Sequence, residues 1–534
     1  MAAYSVRSEM APLSRRIVLA LAEEKVLNEK ILEGVRKRIT KEQGGVLPKN
    51  LELIQAYYDL IEEGAIEQKP RLLEIIQKRK VRTLSGIANI TVLTKNWGCP
   101  GQCIFCPAER DMPKSYLSNE PAMMRAVRNE FDAYKQVKTR LNGLVAQGHD
   151  VTKIDVRIAG GTWSAIPKKY QEEFVKGIYF ALNEGPGATA PNFQFLISNF
   201  QLEELIVKNE TARWRCVGMW IETRPDLVDE EEIERLRSYG VTGVELGVQT
   251  TDDAVNAFCK RGHGLRESIR ATRLCRDAGL KICHHLMPNL PTATRRSDLK
   301  SGRDLFKLEG LRPDYLKIYP CVVMPFSELE TLYKKDPSIH TPYSDEELMK
   351  MLVAIKKHIP KYCRVIRVIR DIPADSIVAG SKVSNLRQEI QKQGVVCRCI
   401  RCREIQDSRF KIQDLRFKIQ RYKANGGMEL FLSLEEPKLD KIVALLRLRL
   451  KKSATAMVRE LHVYGRQKTL GDERGSVDSK TQHLGLGKRL MTEAERLAAK
   501  AGYAKIAVIA AVGTREYYKK LGYKSESTYM VKRL

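Results

Sequence analysis

Residues 89–107 read NITVLTKNWGCPGQCIFCP, a strand-like apolar run followed by Cys99, Cys103 and Cys106 on one short loop. Three thiolates at this spacing can ligate three irons of a 4Fe-4S cluster and leave the fourth iron open to a substrate or cofactor. A structural zinc site would need a fourth Cys or His close by, and the neighbouring stretch has none. Outward from the loop, strand-like and helical runs alternate from about Val81 to Arg370. The strand candidates are NITVLT, KIDVRIAG, FQFLIS, VGMWIET, GVELGVQ, KICHHLM and YLKIYP, with helical stretches around Phe131, Glu231, Arg266 and Leu305. Strands separated by helices predict an α/β fold with a parallel sheet built from right-handed crossovers, either a complete barrel or an open, partial (β/α) barrel. The chemistry of such a sheet belongs to the loops at the C-terminal ends of its strands.

Residues 1–80 read as a helical, basic segment: apolar positions recur every three or four residues in IVLALAEEKVLNEKILEGV and LELIQAYYDLIEEG, and Lys78, Arg79 and Lys80 close it. Residues 81–370 are the barrel-type domain. Residues 371–427 lack its alternation and read as a Cys-rich basic linker, and 428–534 return to a mixed α/β set that includes MELFLSLEE, KIVALLRLRL and KIAVIAAV.

The 534 residues are 43% hydrophobic and 29% charged, with 21 Pro and 35 Gly, which excludes collagenous and low-complexity classes. No apolar run is long enough for a membrane span, and the opening MAAYSVRSEMAPLSRR lacks a secretory apolar stretch, so the expected location is cytoplasmic. The twelve cysteines then read as thiols rather than disulfides. With 92 Lys plus Arg against 65 Asp plus Glu, the net charge of +27 points to a polyanionic partner. Basic residues concentrate from Arg398 to Lys423, interleaved with Phe410, Phe417 and Tyr422, and RFKIQDL at 409–415 is echoed by RFKIQRY at 416–422. Such a stretch suits a surface that neutralises phosphates and offers rings to unstacked bases. Just ahead of it, Cys397, Cys399 and Cys402 are three soft ligands within six residues, which predicts a structural zinc ion. Cys363, His340, His358 and Cys321 are the candidates for a fourth ligand.

The CxxxCxxC loop with Phe105 before its last cysteine resembles the radical S-adenosylmethionine (radical SAM) enzymes. That resemblance implies that Gly160, Gly161 and Thr162, after KIDVRIA, hold the methionine part of S-adenosylmethionine. PKSYLSNEPAMMRA (113–126), GGTW, IETRPD (221–226), GVELGVQT (243–250), KRGHG (260–264), HHLMPNLP (284–291) and LKIYP (316–320) narrow it. Together they resemble the catalytic subunit of Elongator, including its single-chain prokaryotic relatives, over about Val81 to Leu534, and imply cofactor contact at Glu222. The sequence departs in having Pro107-Ala108-Glu109 where the family often has Pro-Gly-Gly.

Towards the C-terminus, Gln482-His483-Leu484-Gly485-Leu486-Gly487 opens the helix-like KRLMTEAERLAAKAG. Glycines there let backbone amides at a helix N-terminus meet an anionic group such as a pyrophosphate. Its order between VRELHVYG and KIAVIAAVGTREYYKKLGY resembles the GNAT-type N-acetyltransferases. The Elongator resemblance implies acetyl-CoA contacts on Glu460, Leu461, His462 and Val463, on His483, Leu484 and Gly485, with Gly487 in the same string. It also implies a tyrosine at the thioester, Tyr518 or its neighbour Tyr517. A lysine associated with acetyl-CoA falls at Lys153, which requires the two domains to face one another.

The expected function is therefore tRNA wobble-uridine C5 carboxymethylation. Acetyl-CoA would supply the carbon unit, a radical derived from S-adenosylmethionine would activate its methyl group, and tRNA and an electron donor would be the partners. Other protein subunits are possible but not required. The competing reading is a protein lysine acetyltransferase with a structural radical SAM domain.

Overall fold

A computed structural model describes residues 11–44, 46–77, 86–190, 192–383, 385–394, 397–405, 412–465 and 485–534. Four helices come first, α1 (Ala11–Glu23), α2 (Glu29–Gln43), α3 (Asn50–Glu62) and α4 (Pro70–Ile76). Their apolar faces close on one another in a separate small core that includes Ile17, Leu21, Leu53, Tyr57 and Ile76. Gln77 ties this bundle to the next unit by donating to the Gly148 carbonyl at 2.8 Å.

Seven strands then form one parallel sheet in sequential order: β1 (Ile87–Leu93), β2 (Lys153–Ala159), β3 (Arg215–Thr223), β4 (Gly243–Gln249), β5 (Lys281–Leu286), β6 (Tyr315–Ile318) and β7 (Arg364–Arg367). The order β1 to β7 leaves β1 and β7 as edges, so the barrel is open, the partial one of the two expected forms. Helices cover its outer face, which is why β4 is buried along its length up to Gln249.

A second seven-stranded sheet has the order β13-β14-β12-β11-β10-β9-β8, built from β8 (Arg416–Ala424), β9 (Gly427–Glu436), β10 (Lys441–Leu450), β11 (Thr455–Val463), β12 (Lys505–Val508), β13 (Lys524–Glu526) and β14 (Tyr529–Arg533). It is antiparallel except between β11 and β12. That pair is hydrogen-bonded only from Thr455↔Lys505 to Val458↔Val508, and beyond this point the strands part. Arg459 is the extra residue of a bulge against β10. One apolar core runs through both sheets, from Val92 and Ile158 to Leu446 and Val508.

Several expectations are corrected. FQFLIS is a short helix, Phe193–Ser198, because β2 pairs directly with β3 and leaves no edge for it. Phe193 stacks instead on Tyr134 with ring centroids 4.6 Å apart. The seventh parallel strand is RVIR at Arg364–Arg367, whose four residues are too few for alternation to reveal. RFKIQRY, read as part of the linker, lies in edge strand β8, paired with β9 from Arg416↔Glu435 to Ala424↔Gly427.

The basic and aromatic run is only partly a free surface. Tyr422 stacks on Tyr362 at 4.0 Å, Phe417 packs against the core, and Arg403 is buried between Glu435 and Asp440. Arg416, Lys418, Arg421 and Lys423 remain exposed. Phe410, the first repeat copy up to Lys411, and Lys78, Arg79 and Lys80 lie outside the described residues. Among the described residues no helix is long and apolar enough to cross a membrane.

Candidate active site

The cysteine loop follows β1 at the C-terminal edge of the parallel sheet. Its position is set by backbone bonds from Ile104 N–H to the Cys259 carbonyl (3.2 Å) and from Ala108 N–H to the Phe326 carbonyl (2.9 Å). Cys99 Sγ lies 3.2 Å from Thr162 Oγ1, which joins the cysteine motif to the Gly160-Gly161-Thr162 segment after β2. Both glycines have positive φ, +123° and +97°, and a Cβ on Gly160 would fall 2.3 Å from Thr94 Oγ1, so the close approach of β1 and β2 at this corner requires glycine. Cys103 receives N–H donors from Arg261 (3.1 Å) and Arg224 (3.8 Å). Its thiol is pulled down to about 5, first by its hydrogen bond with Cys106 and then by the Arg261 and Arg224 charges against an opposing effect of burial. The Cys106 thiol is pushed up, by Cys103 and by burial. The three sulfurs are a soft donor set, the chemistry an iron-sulfur cluster needs, and Cys106 stands at the rim of a cavity.

That cavity, about 1590 Å³, is shared by the two sheets. At one end Cys106, Tyr116, Glu222 and Met287 line it. Glu222 accepts a 2.9 Å bond from the Tyr116 hydroxyl, and burial holds that phenol protonated by raising it well above its usual range.

In the middle, Glu245 receives Arg157 (2.5 Å), His285 (2.8 Å) and Lys317. Although burial opposes it, Lys317, His285 and Arg157 hold the Glu245 carboxyl well below the usual carboxylate range. Glu245, Cys283 and His285 could in principle grip a metal ion, but the donors already on Glu245 make this an ion-pair network.

The far end lies where β11 and β12 diverge. Glu460, Leu461, His462 and Val463 on one side and Val508 to Ala511 on the other line it, together with Gly485, Gly487, Tyr517 and Tyr518. Gly485 takes φ +72° as the N-cap of the helix Leu486–Lys500. A Cβ on Gly487 would stand 2.8 Å from the Tyr517 hydroxyl, so these two groups border the same space. Tyr518 is buried, edge-on to Tyr523. Glu460 accepts from Tyr315 and from Arg447 Nε at 2.7 Å, which makes it a fixed floor of this end. Burial lowers His462 to about 4, leaving a neutral ring tilted against Tyr464 with centroids 4.2 Å apart. Lys153, at the start of β2, lines the same cavity, and burial lowers its ammonium. His483 and Leu484 lie outside the described residues.

The sulfurs of Cys397, Cys399 and Cys402 lie within 4.8 Å of one another, and no fourth His, Cys, Asp or Glu joins them within that distance among the described residues. Tetrahedral Zn–S bonds of about 2.3 Å put sulfurs roughly 3.8 Å apart, so the set is of the size for one ion. Of the proposed fourth ligands, Cys321 packs in the apolar cluster with Cys103, and His358 accepts from Arg303 at 3.1 Å. Cys363 is a backbone neighbour, its carbonyl accepting from Ile400 N–H at 2.9 Å.

Sequence reasoning named neither Arg224 and Arg261 nor the Glu245 network as site residues. IETRPD, KRGHG and GVELGVQT contain Arg224, Arg261 and Glu245 in turn, but nothing in those strings says that their side chains converge.

A half-barrel carrying three cysteines after its first strand, opening into the cleft of a second sheet with a glycine-capped helix, defines a two-domain radical SAM enzyme with an acetyltransferase module. Residues 97–300 match the radical SAM superfamily, 313–394 the radical SAM C-terminal domain, and 473–533 the acetyltransferase (GNAT) domain. The chain is 38% identical to the tRNA uridine(34) acetyltransferase of Methanocaldococcus jannaschii over 99% of each, and 34% identical to human Elongator complex protein 3 over 91% of this chain and 94% of that one. The structure of Methanocaldococcus infernus Elp3 with an N-terminus deletion (1–46) superposes with a TM-score of 0.70 at 37% identity, covering 85% of this chain and all of that one. The chain belongs to the Elongator complex protein 3 (Elp3) family.

Proposed function

We propose that this chain modifies carbon 5 of the wobble uridine of tRNA, with acetyl-CoA as the source of a two-carbon unit and 5-carboxymethyluridine as the product. One observation carries the reading: a single cavity connects the cysteine loop to the cleft lined by Gly485, Gly487 and Tyr517. A group loaded at one end can meet chemistry at the other within the same cavity. Cys99, Cys103 and Cys106 would hold a 4Fe-4S cluster, with Gly160, Gly161, Thr162 and Glu222 beside them for S-adenosylmethionine. When bound, this pair supplies hydrogen abstraction by a carbon radical.

The chain's own part is to bind, orient and exclude. The N-terminal amides of the helix Leu486–Lys500 favour a pyrophosphate. The Tyr517 hydroxyl borders Gly487 and is the group we assign to the thioester end, with Tyr518 as its buried support. Glu245, fixed by three donors, holds Lys317 charged in the middle of the cavity, where an anionic or carbonyl group would be stabilised. Exposed Arg416, Lys418, Arg421 and Lys423 support a polyanionic partner. An external electron donor is required, and Cys397, Cys399 and Cys402 would hold a structural zinc ion.

The deciding experiment is anaerobic incubation of reconstituted protein with S-adenosylmethionine, acetyl-CoA and tRNA, followed by nucleoside mass analysis. The expected result is 5-carboxymethyluridine that needs all three. Acetylated lysine with unchanged nucleosides would give the reaction to a protein lysine acetyltransferase.

A further inference from the structure

The cysteine that receives both guanidinium groups is the middle one of the three. Arg261 Nη1 lies 3.1 Å and Arg224 Nη1 3.8 Å from Cys103 Sγ, and both arginines are buried. Neither fork is free to swing. Arg261 Nη2 donates to the Gly247 carbonyl at 2.6 Å and meets His263 Nε2 at 2.7 Å. Arg224 grips Asp226 through Nε and Nη2 (3.0 and 2.9 Å) and donates to the Arg261 carbonyl at 2.7 Å. The two Nη1 groups are thus aimed at one sulfur by the ends of β3 and β4 and by the turn after Cys259. The cysteine motif itself leaves the room: a Cβ on Gly101 would fall 2.0 Å from Arg224 Nη1. Cys99, in contrast, meets the Thr162 hydroxyl and the Gly101 N–H. Asp226 offsets the Arg224 charge, whereas Arg261 enters no ion pair with a carboxylate among the described residues.

We infer that Arg261, with Arg224 as the weaker partner, tunes the iron-sulfur cluster by raising its reduction potential through Cys103. The inference rests on the reading of Cys99, Cys103 and Cys106 as the ligands of a 4Fe-4S cluster. Reduction adds one electron from an external one-electron donor to the 2+ cluster, giving the 1+ cluster; no bond forms or breaks and no proton moves. The added charge spreads onto the ligand sulfurs. A buried cationic N–H donor therefore stabilises the reduced form more than the oxidised one, and hydrogen bonds to sulfur together with burial are the protein's means of setting such potentials. Arg224 and Arg261 are positioning and tuning residues, not catalytic ones.

The test is a mediated redox titration of the anaerobically reconstituted full chain with dithionite, read by the electron paramagnetic resonance signal of the reduced cluster. Arg261→Gln should weaken reduction about tenfold, a 59 mV downward shift for a one-electron couple. Arg224→Gln should shift it less, in the same direction, and Arg261→Lys should fall between Arg261→Gln and wild type. Arg110→Gln, which removes a 95% exposed side chain near the same loop, should leave the potential unchanged. Wild-type potentials in both Gln variants would overturn the inference. So would folded Gln variants that take up no cluster, since the arginines would then be supports of the loop. If Arg261→Gln does not fold, Arg224→Gln decides alone. A wild-type chain that binds no iron and sulfide would instead overturn the reading of the three cysteines.

Discussion

Gly487 and Tyr517 are separated by the width of one methyl group, and this makes a sharp test of the acetyl-CoA end. Gly487→Ala should raise the dissociation constant for acetyl-CoA about tenfold, about 1.4 kcal/mol, by filling the space beside the Tyr517 hydroxyl. Alanine is the better helix former, so Tm should not fall, and titration calorimetry then reports binding rather than unfolding. Adding Tyr517→Phe to Gly487→Ala should return part of the lost affinity, since it removes the atom that the new methyl would meet.

A second residue-scale consequence concerns acid. Burial holds His284 at about 3 and both His340 and His462 at about 4. Unfolded histidine titrates near 6.5, so below that pH the unfolded chain binds protons that the folded chain refuses. Stability falls from pH 6.5 down to about 4, by up to about 2 kcal/mol per histidine at pH 5. Urea midpoints at pH 7.5 and pH 5 should differ in that direction, and equal midpoints would contradict it.

Among the elements, the segment Cys397–Ile405 is a stitch. It bonds to Cys363 just before β7 of the first sheet and, through Ile405 N–H to the Ile442 carbonyl at 3.0 Å, to β10 of the second. Arg364 on β7 also pairs with Glu404. Cys397, Cys399, Ile400 and Ile405 pack in the main core, and the zinc ion proposed for the three sulfurs would pin the segment further, so Cys399→Ala should remove one equivalent of zinc and lower Tm by several degrees. Elemental analysis with calorimetry checks both, and an unchanged metal content would remove zinc from this site. Elements also mark where periodicity misleads. RVIR is too short for a pattern, and FQFLIS is β-like in composition, yet it forms a helix because the neighbouring strands pair with each other.

At the scale of the whole molecule, the two sheets are joined by buried charges. Asp314, ahead of β6, meets Arg459 of β11 (2.6 Å), Arg447 of β10 (3.4 Å) and Arg276 of the helix Leu265–Asp277 (3.9 Å), all essentially without solvent exposure. Asp314→Asn removes the one carboxylate all three guanidinium groups share, leaving Glu460 to Arg447 and Glu429 to Arg459 and Arg276, and should cost about 3 kcal/mol. Because the network spans both units, calorimetry should show the shared transition splitting in two, and a single unshifted transition would refute the coupling. The net charge of +27 carries a separate expectation for tRNA. Replacing Arg416 and Lys418 with Glu should weaken binding and flatten the log-log salt slope by about 0.7–0.9 per lost phosphate contact, leaving acetyl-CoA affinity unchanged. Binding that ignores salt would end the polyanion argument.

By itself the sequence determined the chemistry available. Cysteine spacing, the Gly160-Gly161 corner, the glycines before a helix and the alternation of strands and helices are local patterns, and local patterns survive in a linear string. The α/β class, the three-thiolate loop and the candidate acetyl-CoA end were legible for that reason. Only the tertiary structure decided what those pieces face. It opened the barrel between β1 and β7, turned Tyr422 onto Tyr362, and brought Lys153 and Gly487 to one cavity although more than half the chain lies between them. It also aimed Arg224 and Arg261 at Cys103. Contacts between distant residues depend on how two sheets share one core and on which buried charges must find partners. Neither quantity is periodic along the chain.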